Sequence, residues 1–338
     1  MKNILVTGAA GFIGYHLVKL LVQDVETNVV ALDNINDYYD TSLKLGRLNE
    51  LGLIKENDTW TSSLSNLKFI ETNLSNKEKL ATILDDNRIN YIVHLAAQAG
   101  VRYSLENPDS YVQSNLVDFV NICECVKTGN IDHFIFASSS SVYGVDNPVP
   151  LKEDANTSKP VSLYGATKKA NEVIGHSYSH LYNVTTSALR FFTVYGEWGR
   201  PDMAYFLFAD LITQGKPIKV FNNGKLSRDF TYVGDIVWSI KLLLEKRGGD
   251  QKTDSLFETY NIGNSSPIQL MDFITTLEKE LGYEAAKIFE DMQDGDVYHT
   301  YADNTKLSKL IGYRPRVELN EGIQKFVKWY KTYYKIKL

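Results

Sequence analysis

Three glycines spaced three apart, Gly8, Gly11 and Gly14, stand between the short apolar run Ile4-Leu5-Val6 and a stretch with apolar residues at helical spacing, Ile13, Leu17, Leu20 and Leu21. A chain that leaves a strand through such a turn and enters a helix at once is committed to a strand–helix–strand unit, and so to a parallel sheet. The alternation continues. Apolar runs at Val29-Leu32, Leu67-Ile70, Tyr91-Leu95, Phe134-Ala137 and Thr185-Leu189 predict further strands. Helical patterns at Phe12-Gln23, Lys77-Asp85, Asp109-Lys127 and Tyr164-Leu181 lie between them. Unbroken apolar runs are what strands buried on both faces look like. After about Arg190 the rhythm breaks, and Gly196-Glu197-Trp198-Gly199-Arg200-Pro201 reads as a loop. The polar stretch Glu56-Asn66 is expected to be a surface loop.

Composition narrows the partners. The chain has 338 residues, long enough to bury a large core in one or two domains. A net charge of −5 argues against nucleic acid, which needs clustered Lys and Arg. Lys325, Lys328, Lys331, Lys335 and Lys337 do cluster, but with Phe326, Trp329 and Tyr333 between them they read as a solvated helix face. Cys123 and Cys125, two apart on a helix, point to different sides, so neither a disulfide nor a zinc site is expected. Met1-Lys2-Asn3 leads directly into the first strand without a leader pattern, and no apolar run is long enough to span a bilayer. A cytoplasmic location and no membrane partner are the expectations.

The glycine turn also has a chemical reading. Gly8 permits the sharp turn, Gly11 lets the backbone approach a pyrophosphate, and Gly14 lets helix pack on strand. The helix N-terminus, with Phe12 and Ile13, then offers free amides and a positive dipole end to phosphates. Asp33 ends the second strand. A carboxylate there binds both ribose hydroxyls and repels a 2′-phosphate, which favours NAD over NADP; the alternative is an ordinary turn aspartate. The small residues of Leu95-Ala96-Ala97 let a cofactor lie against the backbone, or simply allow tight packing. His94 reads as a core histidine.

Tyr164 and Lys168 are four apart and share a helix face. An ammonium beside a phenol favours the phenolate, so Tyr164 is expected to act as a base below its free pKa of about 10. Ser139 supplies a hydroxyl upstream. Together these groups suit the movement of one proton and one hydride at an alcohol.

The segments Thr7-Gly8-Ala9-Ala10-Gly11-Phe12-Ile13-Gly14, Asp33-Asn34, Leu95-Ala96-Ala97, Ser138 to Gly144, Tyr164-Gly165-Ala166-Thr167-Lys168 and Arg190 to Gly196 follow one another as in extended short-chain dehydrogenases/reductases, and within them the chain resembles the nucleotide-sugar 4-epimerases. The segments Asp33-Asp40, Gln98-Ser104, Trp198-Ala204, Arg228-Tyr232, Gly295-Val297 and Tyr301-Asp303 carry a narrower resemblance, to UDP-glucuronate 4-epimerases. The resemblance implies a Rossmann-type doubly wound parallel sheet (residues 1–190, with some later segments returning to it) and a smaller C-terminal α/β substrate domain (191–338). It implies Tyr164 as base, Lys168 on the nicotinamide ribose and Ser139 as proton relay. A tightly bound NAD would be held by Gly8, Gly11, Phe12, Ile13, Gly14, Asp33, Asn34, Asn73, Leu74, Leu95, Ala96, Ala97, Tyr164 and Lys168.

Ser140 and Ser141 stand where related dehydratases carry an acidic pair and uronate decarboxylases a glutamate. Neither serine is an acid at neutral pH, so elimination lacks its catalyst. The implied reaction is epimerisation at C4 of a UDP-sugar through a 4-keto intermediate. For a uronate, Ser140, Ser141 and Thr193 would hydrogen-bond the carboxylate, and Thr193 replaces an asparagine of galactose epimerases. Arg200 would clamp the carboxylate and limit decarboxylation, or else only shape its loop with Asp202. Arg228, or with less support Arg102, would meet the diphosphate; Gln293 and Asp296 would reach the uridine. The chain departs from the resemblance at Asn73, where an aspartate is usual, and at Glu197 and Asp294, where prolines are usual; these two are expected to loosen their loops. A homodimer is implied through Asp109-Lys127 and Tyr164-Leu181, with Phe119, Ile122 and Ile174 on the exposed faces. A product of this kind would serve polysaccharide synthesis. Another UDP-hexose 4-epimerase, or a catalytically silent NAD-binding sensor, are the alternatives.

Overall fold

The computed structural model describes residues 1–247, 255–292 and 297–336. From the N-terminus the strands are β1 (Lys2–Thr7), β2 (Thr27–Asp33), the hairpin pair β3 (Leu53–Glu56) and β4 (Thr59–Ser62), then β5 (Leu67–Glu71), β6 (Tyr91–His94), β7 (His133–Ser139) and β8 (Thr186–Phe191). Beyond them come β9 (Thr193–Tyr195), β10 (Ile218–Phe221), β11 (Ser227–Tyr232), β12 (Phe257–Ile262), β13 (Pro267–Gln269) and β14 (Lys287–Glu290). The main sheet has seven strands in the order β12-β8-β7-β6-β1-β2-β5, and every pairing in it is parallel. This is the Rossmann-type doubly wound sheet.

The strands alternate between two cores, as the period of two requires. Ile4, Val6, Val29, Ala31 and Val93 face one side, with helix α1 (Phe12–Leu21). Leu5, Val30, Leu32, Ile92 and Phe134 face the other. Helices α2 (Thr41–Glu50) and α3 (Lys77–Asp86) follow β2 and β5. After β6 come the short α4 (Tyr103–Glu106) and α5 (Pro108–Tyr111), a π-helical turn at Val112–Val117, and α6 (Asp118–Thr128). The segment that carries Tyr164 and Lys168 forms α7 (Leu163–Tyr182), capped at its N-terminus by the Ser162 side chain on Gly165 N. The later helices are α8 (Ala204–Thr213), α9 (Val233–Arg247), α10 (Leu270–Leu281), α11 (Thr305–Ile311) and α12 (Leu319–Tyr333). Part of the second half returns to the sheet: β12 pairs with β8, and α9 packs beside α1. The rest builds two small sheets, β13-β11-β9 and β10-β14.

Three expectations are corrected. Glu56-Asn66 is not a plain loop, because β3 and β4 pair through it as an antiparallel hairpin. The helix expected over Asp109-Lys127 is interrupted by the π-helical turn. Phe119 and Ile122 are buried in the chain's own core and present no exposed face, and Ile174 packs against the same cluster. The large apolar residues that α7 does expose are Val173, Leu181 and Tyr182. Cys123 and Cys125 are free and buried, and burial pushes the Cys125 thiol up to about 11. Among the described residues no helix is long and apolar enough to cross a membrane.

Candidate active site

The strand order reverses between β1 and β6, and in open parallel sheets the crevice beyond the strand ends at that point is where ligands bind. The loops after these two strands meet there. Gly8 has φ +71°, and a Cβ on it would lie 2.7 Å from Ala96 N. A Cβ on Gly14 would lie 2.1 Å from the Gly8 carbonyl oxygen, so only glycine lets α1 sit this close to the turn. Gly11 begins α1 with no side-chain cap, leaving the first amides of the helix open to an anion.

A cavity of about 400 Å3 opens over this turn. Its wall includes Gly8, Gly11, Phe12, Ile13, Gly14, Asp33, Asn34, Leu74, Leu95, Ala96 and Ala97 at one end, and Ser139, Ser140, Ser141, Tyr164, Lys168, Thr193 and Arg200 at the other. The Asp33 carboxylate accepts from Ala10 N (3.0 Å) and Ile35 N (2.8 Å), which ties the end of β2 to the glycine turn. A carboxylate has about four lone-pair sites, so acceptor capacity remains for two hydroxyls. Asn73 is exposed and accepts from the Asn34 amide at 2.9 Å, so Asn34, rather than Asn73, lines the wall. His94 is a core residue as expected: its Nδ1 lies 2.8 Å from the Thr7 hydroxyl, and burial lowers it to about 3.

At the other end of the cavity, α7 presses on the Ser140–Tyr143 turn. A Cβ on Gly165 would lie 2.6 Å from the Ser141 carbonyl, and this close approach brings Tyr164 to Ser139. The Ser139 hydroxyl accepts from Ser141 N at 3.1 Å and lies 3.2 Å from Ser141 Oγ. Lys168 Nζ donates to the Ala137 carbonyl at 2.9 Å, and burial lowers its pKa to about 7. The phenol of Tyr164 behaves differently from the expectation. Burial raises its pKa, while the Ser139 hydrogen bond and the Arg200 charge pull the other way. Desolvation disfavours the phenolate more than these groups favour it.

Arg200 forms a fork with Asp202, Nε to Oδ1 at 3.0 Å and Nη2 to Oδ2 at 2.7 Å, and Tyr38 OH donates to the same carboxylate at 3.2 Å. Burial opposes the Arg200 charge, but Asp202 outweighs it and holds the guanidinium above its ordinary value. Arg200 therefore lines the cavity and shapes its loop with Asp202 at once.

A second cavity, of about 420 Å3, shares Ser140, Ser141 and Thr193 with the first and runs to Arg228. Arg228 Nη1 donates to the carbonyls of Ser227 and Tyr298. Arg102 is exposed and stacks over the Phe221 ring at 5.0 Å instead of lining the first cavity. Gln293, Asp294 and Asp296 lie outside the described residues. Glu197 does not loosen its loop: its carboxylate accepts from Tyr232 OH at 2.8 Å, and its carbonyl contacts His16 Nε2 at 2.9 Å.

Several residues of the site carry no local signal. Asn115, in the π-helical turn, accepts from Gln98 N (2.8 Å) and donates to Gln98 O (3.0 Å) and Thr167 Oγ1 (3.1 Å), pinning the loop after β6 to α7. The wide turn frees its backbone carbonyl to accept from the Asn171 amide. Lys44 lines the cavity, donating to Asn36 at 2.7 Å. Behind Ser139 and Tyr164, Arg190 forks onto Glu172 (2.7 and 2.9 Å), which also accepts from Ser138 Oγ at 2.7 Å.

Comparison with known proteins agrees with this geometry. The profile of the NAD dependent epimerase/dehydratase family matches residues 4–263. Protein CapI of Staphylococcus aureus is 47% identical over 98% of this chain and 99% of its own length. UDP-glucuronate 4-epimerase 4 of Arabidopsis thaliana is 42% identical over 98% of this chain and 76% of its own. The crystal structure of the UDP-glucuronic acid 4-epimerase of Bacillus cereus, in complex with UDP-glucuronic acid and NAD, superposes with a TM-score of 0.88 at 34% identity over 98% of this chain and 100% of that one. With the glycine turn, the Tyr164–Ser139 pair and the sheet all in place, the chain belongs to the NAD dependent epimerase/dehydratase family.

Proposed function

We propose that this protein is a UDP-glucuronate 4-epimerase, interconverting UDP-glucuronate and UDP-galacturonate through a transient 4-keto sugar. The observation that carries the reading is the shared wall. Ser140, Ser141 and Thr193 line both cavities, beside Ser139 and Tyr164, so a sugar placed there meets the dinucleotide site on one side and Arg228 on the other. The relatives named above support the uronate.

The first cavity has residues that fit NAD: the open amides of α1 would hold its phosphates and Asp33 its adenosine ribose. Bound there, the cofactor would supply a reversible hydride acceptor for C4. The chain's own groups handle the proton and the geometry. Ser139 and Tyr164 hold the C4 hydroxyl between them, and Tyr164 accepts its proton, with Ser139 relaying it. The Ser139 hydrogen bond and the Arg200 charge work against the burial that raises the phenol's pKa without overcoming it, and the Lys168 ammonium would add to them with substrate and cofactor in place. Ser140, Ser141 and Thr193 donate to the C6 carboxylate and hold it near the plane of the C4 ketone, where loss of carbon dioxide is disfavoured. With serines at 140 and 141, no acid stands ready to remove water. Arg228 meets the diphosphate.

The same reading has the protein work as a homodimer in the cytoplasm. Val173 and Leu181, exposed on α7, support a helix-to-helix contact. The test is incubation of the purified protein with UDP-glucuronate, UDP-glucose and UDP-N-acetylglucosamine, followed by NMR of the sugar. Inversion of the uronate alone, or fastest, is expected. Preference for a neutral hexose would replace the uronate with that sugar. Retained NAD with no turnover of any of them would make the protein a silent sensor.

A further inference from the structure

Arg47, on α2, is fully buried, yet among the described residues its hydrogen bonds all end on neutral oxygens. Nη1 donates to the Ala10 carbonyl in the glycine turn and to Tyr39 OH, both at 2.7 Å. Nε and Nη2 donate to the Trp198 carbonyl at 3.0 and 2.6 Å, and Nη2 also to Gly199 O at 3.0 Å. One guanidinium thus bridges the turn that faces the dinucleotide phosphates and the loop that ends in Arg200.

The loop needs this hold. Trp198 has φ +56°, a backbone conformation that a bulky residue keeps only when its surroundings impose it. Its ring is clamped by Trp329 (5.1 Å) and Tyr333 (5.0 Å), and Gly46 makes room for it: a Cβ there would lie 2.9 Å from the ring. Arg47 holds the backbone of the same residue. A lysine cannot replace it, because one ammonium cannot reach two loops that a planar fork spans.

We propose that Arg47 is a positioning residue that couples the phosphate turn to the Arg200 loop, so that grip on the dinucleotide and control of the substrate carboxylate rest on one side chain. The second half of this rests on the epimerase reading; the first does not.

Hydrogen–deuterium exchange of the full-length protein, freed of dinucleotide, with and without ADP-ribose tests the coupling without substrate. ADP-ribose lacks the nicotinamide ring, and the part of the protection at 198–203 that travels through the turn, as opposed to direct contact in the shared cavity, is the part that depends on Arg47. Slowing of exchange there is expected in the parent, and its loss, roughly tenfold in rate, in Arg47→Lys, as befits a charged hydrogen bond. No slowing in the parent, or equal slowing in a folded Arg47→Lys, overturns the proposal. If Arg47→Lys does not fold, Gly46→Ala, which displaces the Trp198 ring without touching Arg47, is read in the same way. With UDP-glucuronate, Arg47→Lys should raise both the rate of NAD loss and the fraction of decarboxylated 4-keto-pentose; a variant that changes neither overturns the proposal. A parent that does not turn over UDP-glucuronate counts against the epimerase reading alone.

Discussion

Lys168 and Ala137 are joined by a 2.9 Å hydrogen bond from the ammonium to the carbonyl of β7, two residues before Ser139. The lysine is thereby fixed in the cavity that Ser139 and Tyr164 also line, with its charge in a buried setting that lowers its pKa to about 7. Any help it gives Tyr164 would be electrostatic, and the groups that pull the phenol's pKa down in the chain itself are Ser139 and Arg200.

The first prediction concerns stability of the cofactor-free protein. In the folded state Lys168 binds its proton with a pKa of about 7, and unfolded at the ordinary lysine value. Between these values the unfolded chain holds more protons, so this group makes stability rise with pH; below about pH 7 its burial cost is fully present. Thermal melts from pH 6.5 to 9.5 should show Lys168→Met most stabilised relative to the parent at the acid end, with the gap closing as pH rises. A gap that does not change with pH would contradict the buried ammonium.

Removing the phenol or its partner should act on the chemical step. Tyr164→Phe should lower kcat by about 10²–10⁴, the usual range for general acid–base groups, and Ser139→Ala by an amount at the lower end of that range. KM should change little. In the cofactor-free protein the Tyr164 phenol should ionise above its ordinary value, because burial dominates, and NAD should shift that ionisation downward. Ultraviolet difference titration of the parent against Tyr164→Phe reads both.

Arg200 and Asp202 should separate in their effects. Arg200→Ala should raise the fraction of UDP-4-keto-pentose formed from UDP-glucuronate by roughly tenfold, the scale of one charge-assisted hydrogen bond. Asp202→Ala leaves a half-buried guanidinium without its counter-ion and should lower the melting temperature somewhat more than Arg200→Ala does. Product analysis by NMR and paired thermal melts check the two halves.

Behind the site, Glu172 and Arg190 form a buried fork that also holds Ser138. Glu172→Ala should cost about 3–5 kcal/mol in denaturant unfolding, because it strands a buried cation. A loss no larger than that of an exposed pair such as Lys325–Glu321 would show that the fork contributes little.

How much of this could be read in advance follows the distance over which each feature is encoded. The glycine turn, the N-terminal strands of the sheet, and the set Ser139, Tyr164 and Lys168 were legible, because strand and helix periods and four-residue spacings are local properties of the chain. So was the absence of an acid at Ser140 and Ser141. The hairpin at β3–β4 was missed because polar residues on an exposed pair hide its alternation.

Residue order alone thus determined the fold class and the glycine turn, and singled out Ser139, Tyr164 and Lys168, which the fold brings to one cavity. Only the folded chain decided that Arg47 reaches Trp198, 151 residues away, and that Tyr38 reaches Asp202, 164 residues away. It also decided that β12 closes the sheet, that Phe119 and Ile122 are core residues and that Tyr164 is buried enough for desolvation to raise its pKa. These outcomes depend on which distant segments exclude water from a group or offer it a partner, and no short window of sequence holds that information.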